Sequence, residues 1–141
     1  MNRTRRAELL AAAERTALVD VAEGCLAGAP APVLVAPPEV GMVMMTVREP
    51  VEATRFHLGE VLVTRAEVEH RAVRGWSMRM GDDPEAALAA AVCDAEIEAD
   101  GPARRAVETL CVDTETRLVA ERDAEWSELA PTVVDFEEMT E

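Results

Sequence analysis

With 141 residues, 49% of them apolar, the chain has enough material for one ordinary domain with its own core. Its 28 acidic residues outnumber 14 basic ones, every one of which is Arg, and the net charge of −14 argues against nonspecific nucleic-acid binding. No apolar run approaches the ~18 residues a membrane-spanning helix requires. The acids are spread along the chain, which favours a surface adapted to high salt over a dedicated acidic face.

The N-terminus, MNRTRR, is basic but leads into a segment charged throughout, so it reads as a helix and not as a signal peptide. A cytoplasmic protein is expected. Helices cover 4–27, where Leu9, Leu10, Ala13, Ala17, Leu18, Val21 and Cys25 recur at three- and four-residue steps, with a break expected near Glu14 and Arg15. Pro30 and Pro32 close this segment.

A sheet is expected over 33–80. Val40 to Val47 is apolar on both faces and reads as a central strand. "REPVEATR" is a loop or a wide hairpin connection. Strand two is placed at Arg55 to Val63 and strand three at Arg65 to Val73; Arg74-Gly75 supplies a turn into strand four, Trp76 to Met80. Short connections make the sheet an antiparallel meander. Gly59, inside a strand, signals a bulge or the close approach of another backbone.

Asp83-Pro84-Glu85 is a strong helix start, with Asp as cap, Pro in the first turn and an acid beside the helix dipole. This helix runs to about Ala99 with Leu88, Val92, Ala95 and Ala99 on one face. Asp100-Gly101-Pro102 ends it, and a last helix carries Val107, Leu110, Cys111, Thr114, Leu118, Trp126 and Leu129 at helical spacing. It outreaches the core of one small domain, so part of it is expected to pack on another chain. The helices thus span 83–130, and an apolar tail, 131–141, contains Val133, Val134, Phe136 and Met139. The expected fold is a single α+β domain: an antiparallel sheet of about four strands with N-terminal and C-terminal helices packed on it.

No catalytic constellation is found. Ser77 and Ser127 lack a nucleophile-elbow frame, and without Lys a phosphate-binding P-loop is impossible. Cys25, Cys93 and Cys111 form no CxxC pair and read as core residues, so no metal site is expected. His57 is placed on a strand, partly buried, and His70 in the core; Glu60 and Arg65 form a pair across a hairpin or meet a partner. Two other readings stay open: a free-standing regulatory or ligand-binding α+β domain, and a small enzyme using His57 with Glu60.

Four motifs, taken in order, resemble the PhnG family: Pro38-Glu39-x-Gly41-x-Val43; Phe56-x-Leu58-Gly59-Glu60-x-x-Val63-Thr64-Arg65; Gly81-x-Asp83 opening a helix with Asp94-Ala95; and Thr132-x-Val134-Asp135-Phe136-x-x-Met139. Asp82, Ala86 and Leu88 depart from the Arg, His and Glu usual in that family, and Thr140-Glu141 replaces a common Arg-Gly. The resemblance implies a subunit of the carbon–phosphorus lyase core complex, whose partners are a nucleosidase-like subunit, a radical-SAM lyase subunit and a further small subunit. The complex displaces adenine from ATP with a phosphonate. ATP and phosphonate are then substrates of the assembly, with no cofactor bound by this chain alone. The partner-interface candidates are Leu58, Gly59, Glu60, Thr64, Arg65, Val134, Asp135, Phe136 and Met139.

Overall fold

The computed structural model describes residues 1–133. Its elements are α1 (Arg3–Ala12), α2 (Arg15–Leu26), β1 (Val33–Arg48), β2 (Arg55–His70), β3 (Val73–Met80), α3 (Pro84–Glu98) and α4 (Arg104–Leu129), followed by a single 3-10 turn, Ala130–Thr132. The class is α+β: a three-stranded antiparallel sheet, in the order β1-β2-β3, with helices packed on it.

The sheet has three strands because the expected strands two and three are one. β2 runs unbroken through Thr64 to His70, and the turn into β3 lies at Arg71-Ala72, not at Arg74-Gly75. Both turn residues have positive φ, 52° and 62°, in a two-residue hairpin loop that usually calls on Asn or Gly. Tertiary contacts override that preference. Arg71 Nε donates to the buried Glu96 carboxylate at 2.8 Å, and the register seats Gly75 directly on α3. β1 is also an edge strand and not a central one. Pro37 and Pro38, which cannot donate ladder hydrogen bonds, fall where its pairing with β2 becomes irregular, between Ala36 and Glu39.

The helix break falls where expected. The Glu14 carboxylate caps α2 by accepting from the Thr16 and Ala17 N–H groups at 2.9 and 2.8 Å, and these bonds hold its pKa below the ordinary value. Asp83 caps α3 by accepting from Ala86 N at 3.0 Å. α3 is the centre of the body. It lies between the sheet and the other helices and is buried almost all round, Ala86 through Glu96 with only Leu88 partly open. The single-face reading of this helix is corrected accordingly. Its small side chains let neighbours approach from every direction, and Leu9, Leu18, Val68, Val107 and the three cysteines complete the core.

Two buried acids on α3 tie the layers together. Asp94, fully buried, accepts from Arg6 Nε and Nη2 at 2.9 and 2.7 Å, from Arg3 Nη2 at 2.8 Å and from Trp76 N at 3.2 Å. It joins α1 to β3 through α3. Glu96, also fully buried, accepts from Arg71 and, at 2.8 Å, from Ala103 N, locking the α3–α4 turn against the β2–β3 turn. Buried carboxylates require such donors, because desolvation without them is costly.

α4 follows the expectation of an over-long helix. Val107, Leu110, Cys111 and Thr114 are buried, whereas every residue of the helix from Val119 to Leu129 is exposed, Trp126 included.

Candidate functional site: a projecting β-arm

β3 ends at Met80, opposite Val63, so β1 and β2 continue past it as a two-stranded ribbon. The ribbon runs from Met42 to Arg48 and back from Arg55 to Leu62. A bare two-stranded ribbon is marginal in water. This one exposes Met42, Met44, Phe56, Leu58 and Leu62, none of them covered by another described element. At its tip the Glu49 carboxylate accepts from the N–H groups of Val51, Glu52 and Thr54 at 2.7 to 3.0 Å, which orders the loop. Those bonds, with Thr54 and Val51 foremost, lower the Glu49 pKa.

Gly59 sits at a bulge. Its partner is Met45, while the next pair is His57 with Thr46, which leaves Leu58 as the extra residue. Its φ of 156° suits glycine, and open space surrounds the position of a Cβ. The bulge changes the parity of β2. Beyond it, His57 shares a face with Glu60 and Leu62, and Phe56 shares the other face with Val61 and Val63. One face therefore reads Gly41/Val63, Val43/Val61, Met45/Gly59, Val47/Phe56, and is wholly apolar. It continues into an open groove of about 630 Å³ whose walls include Val43, Val61, Met78 and Met80 together with Ala11 and Ala12 of α1. The other face reads Met42/Leu62, Met44/Glu60, Thr46/His57, Arg48/Arg55, apolar near the body and polar toward the tip.

The structure separates the candidate residues. Leu58, Gly59 and Glu60 lie exposed on the arm. Arg65 is exposed at its base, where it bonds Glu39 Oε2 at 2.9 Å; Glu39, and not Glu60, is its partner. Thr64 is fully buried: its hydroxyl donates to Gly81 O at 2.7 Å and accepts from Asp83 N at 3.1 Å, fastening β2 to the start of α3. Val134, Asp135, Phe136 and Met139 lie outside the described residues. His57 is exposed, its Nδ1 3.1 Å from the Thr46 hydroxyl, and not partly buried as expected; the strand it occupies extends beyond the body. His70 is in the core. Its Nε2 lies 3.2 Å from Glu96 Oε2 without hydrogen-bond alignment, and neither ring nitrogen has a hydrogen-bond partner.

Cys25, Cys93 and Cys111 are buried thiols. Interaction between the Cys25 and Cys93 thiols lowers the former's pKa and raises the latter's. Burial pushes Cys111 up to about 11. No group of three or more His, Cys, Asp or Glu side chains among the described residues could hold a metal ion, and no described helix is long and apolar enough to cross a membrane. Arg48 and Arg55, which face each other at the end of the ribbon, escaped the sequence reading because they stand at the two ends of what read as a loop. Only the register shows that they form the last pair of one ladder.

The class these features define is a small α+β domain with an apolar-sided β-arm and a helix that outruns its core. More particularly, the chain belongs to the PhnG family: the family model described as phosphonate metabolism protein PhnG matches residues 1–141. No curated protein matches the chain.

Proposed function

We propose that this chain is a non-catalytic subunit of the carbon–phosphorus lyase core complex. In that role it supports the phosphonate-dependent displacement of adenine from ATP, which yields α-D-ribose 1-methylphosphonate 5-triphosphate when the phosphonate is methylphosphonate. The observation that carries this reading is the arm. Its apolar residues lie on both faces of a ribbon that the body leaves uncovered, and a large uncovered apolar surface marks a site for another chain. Family membership supplies the pathway. The nucleosidase-like subunit is the partner proposed for the arm and for Leu58, Gly59, Glu60 and Arg65, and the tail residues Val134, Asp135, Phe136 and Met139 are assigned to the same assembly. The radical-SAM lyase subunit and a further small subunit complete it.

The test is reconstitution. The isolated chain should release no adenine from ATP plus methylphosphonate, and adding it to the nucleosidase-like subunit should start that release. Adenine release by this chain alone, or full activity of the partner without it, would show the reading to be wrong. Replacing Phe56 by Asp places a charge on the apolar face of the arm and should abolish capture by the partner while leaving the melting temperature of the free chain nearly unchanged.

A further inference from the structure

In a chain that carries twice as many acids as bases, ten of the fourteen arginines are committed. Arg3, Arg5, Arg6, Arg15, Arg65, Arg71, Arg74 and Arg104 bond carboxylates, Arg117 bonds Glu121 and Ala12 O, and Arg79 holds the main-chain carbonyls of Leu10 and Ala13. The other four make no ion pair with a described carboxylate: Arg105 and Arg122 stand 17 residues apart on α4, whereas Arg48 and Arg55 are directly opposed across β1 and β2. Directly opposed side chains in an antiparallel pair stand about 5 Å apart at Cβ, and like charges placed so are destabilising. Acids are not missing nearby. Glu49 is adjacent, but its carboxylate is turned into the loop and occupied by three N–H groups. Glu52 is exposed in the loop, and Glu60 lies two pairs nearer the body, opposite Met44. On the same face, one pair inward from the arginines, stand the Thr46 hydroxyl and the His57 imidazole, joined at 3.1 Å.

We infer that this end of the arm is a recognition site for a phosphorus oxyanion, the phosphonate or the triphosphate of the assembly's substrates, delivered to the partner's reaction site when the arm docks. This rests on the subunit reading above. Two guanidinium forks on one face can each donate a pair of parallel hydrogen bonds, and a tetrahedral oxyanion with several charged oxygens can accept from both at once. An anion between them removes the mutual repulsion that the free arm carries. Thr46 adds a neutral donor, and His57 a second one in the tautomer or charge state that bears a proton. The apolar stripe on the opposite face supplies docking contact of its own, which leaves the polar end of this face open to a substrate at the partner's reaction site. Arg48 and Arg55 are binding residues here, and no bond is made or broken by them. Acidic side chains of the partner are the competing occupant.

The double variant R48A/R55A distinguishes the two in the assembled complex. Three quantities are measured: capture of the chain by the partner subunits, KM for ATP and methylphosphonate, and the affinity of the complex for inorganic tripolyphosphate and for methylphosphonate by calorimetry. Capture should be unchanged, while KM for one substrate rises and the affinity of the matching probe falls by about tenfold or more, as expected for the loss of charge-assisted hydrogen bonds. R48K/R55K, which keeps the charge but not the forks, should recover part of that affinity. Lost capture with unchanged oxyanion affinity in whatever still assembles would seat the arginines on partner carboxylates and overturn the inference. So would a double variant indistinguishable from the natural chain. A natural chain that neither assembles nor supports turnover would overturn the subunit reading itself, and the inference with it.

Discussion

Gly75 of β3 lies against Ala95 of α3 so closely that a Cβ on Gly75 would stand 2.4 Å from the Ala95 amide nitrogen and 2.7 Å from its methyl carbon. It would also stand 2.1 Å from the carbonyl oxygen of Ala91. Two of these three atoms are backbone, so no rotamer change relieves the clash. Gly75→Ala should therefore force the sheet from α3 and cost about 3 kcal/mol or more, at the upper end of overpacking effects. Denaturant unfolding measures it, and a loss under about 1 kcal/mol would mean that the helix can slide at little cost.

Asp94 should be the most sensitive acid in the chain. Asp94→Asn keeps the shape but leaves Arg6, 4% exposed, with only the Glu98 carboxylate beside it. Breaking a buried pair from one side typically costs about 3–5 kcal/mol, and a loss in that range is expected from chemical denaturation. If the variant is as stable as the natural chain, Glu98 alone satisfies Arg6.

Glu14 gives a pH signature. Its folded pKa is depressed by the Thr16 and Ala17 N–H groups it accepts from. The stability it contributes is thus fully present above the ordinary glutamate range and is lost as pH falls through that range toward the folded value. Glu14→Gln, which retains a weaker cap, should flatten this part of the stability curve and change little at neutral pH beyond the cap itself. An unchanged acid slope would assign the effect to other carboxylates, Glu49 being the next with the same sign.

We propose that the charge of −14 reflects adaptation to high salt. Screening contracts from a Debye length of about 30 Å at 0.01 M to about 3 Å at 1 M, so repulsion among exposed acids should fall steeply over that interval. The melting temperature is expected to rise by several degrees between those conditions. The surface ion pairs weaken over the same range, but each contributes little. A flat or falling melting temperature would point to acids held by pairing.

The helices were the most legible part of the chain. Asp83-Pro84, the break at Glu14 and the long α4 were all readable because caps, prolines and helical spacing are local signals. The strands were harder. Val63-Thr64-Arg65 looked like a strand boundary, yet Thr64 is hydrogen-bonded inward to Gly81 and Asp83 and the strand runs through. Arg71-Ala72 carries no turn chemistry of its own, and Glu96, some 25 residues away in sequence, helps hold it. Gly59 was legible as a bulge because glycine weakens a strand interior, and its presence there marks a bulge or a close backbone approach. What the bulge does was not legible: the parity change that puts Phe56 with the valines and His57 with the arginines depends on the register against β1.

Methionine gives the arm and the groove at its base a chemical memory. Met42, Met44 and Met80 are 54%, 55% and 73% exposed, and an exposed thioether is open to oxidation to the sulfoxide, which turns an apolar contact polar. A chain whose arm is covered soon after synthesis would keep these three reduced, whereas one left waiting would accumulate sulfoxide on the surface it needs for docking. Peptide mapping of assembled against free protein would thus read the history of each pool, and the aged orphan would exclude itself from later assembly.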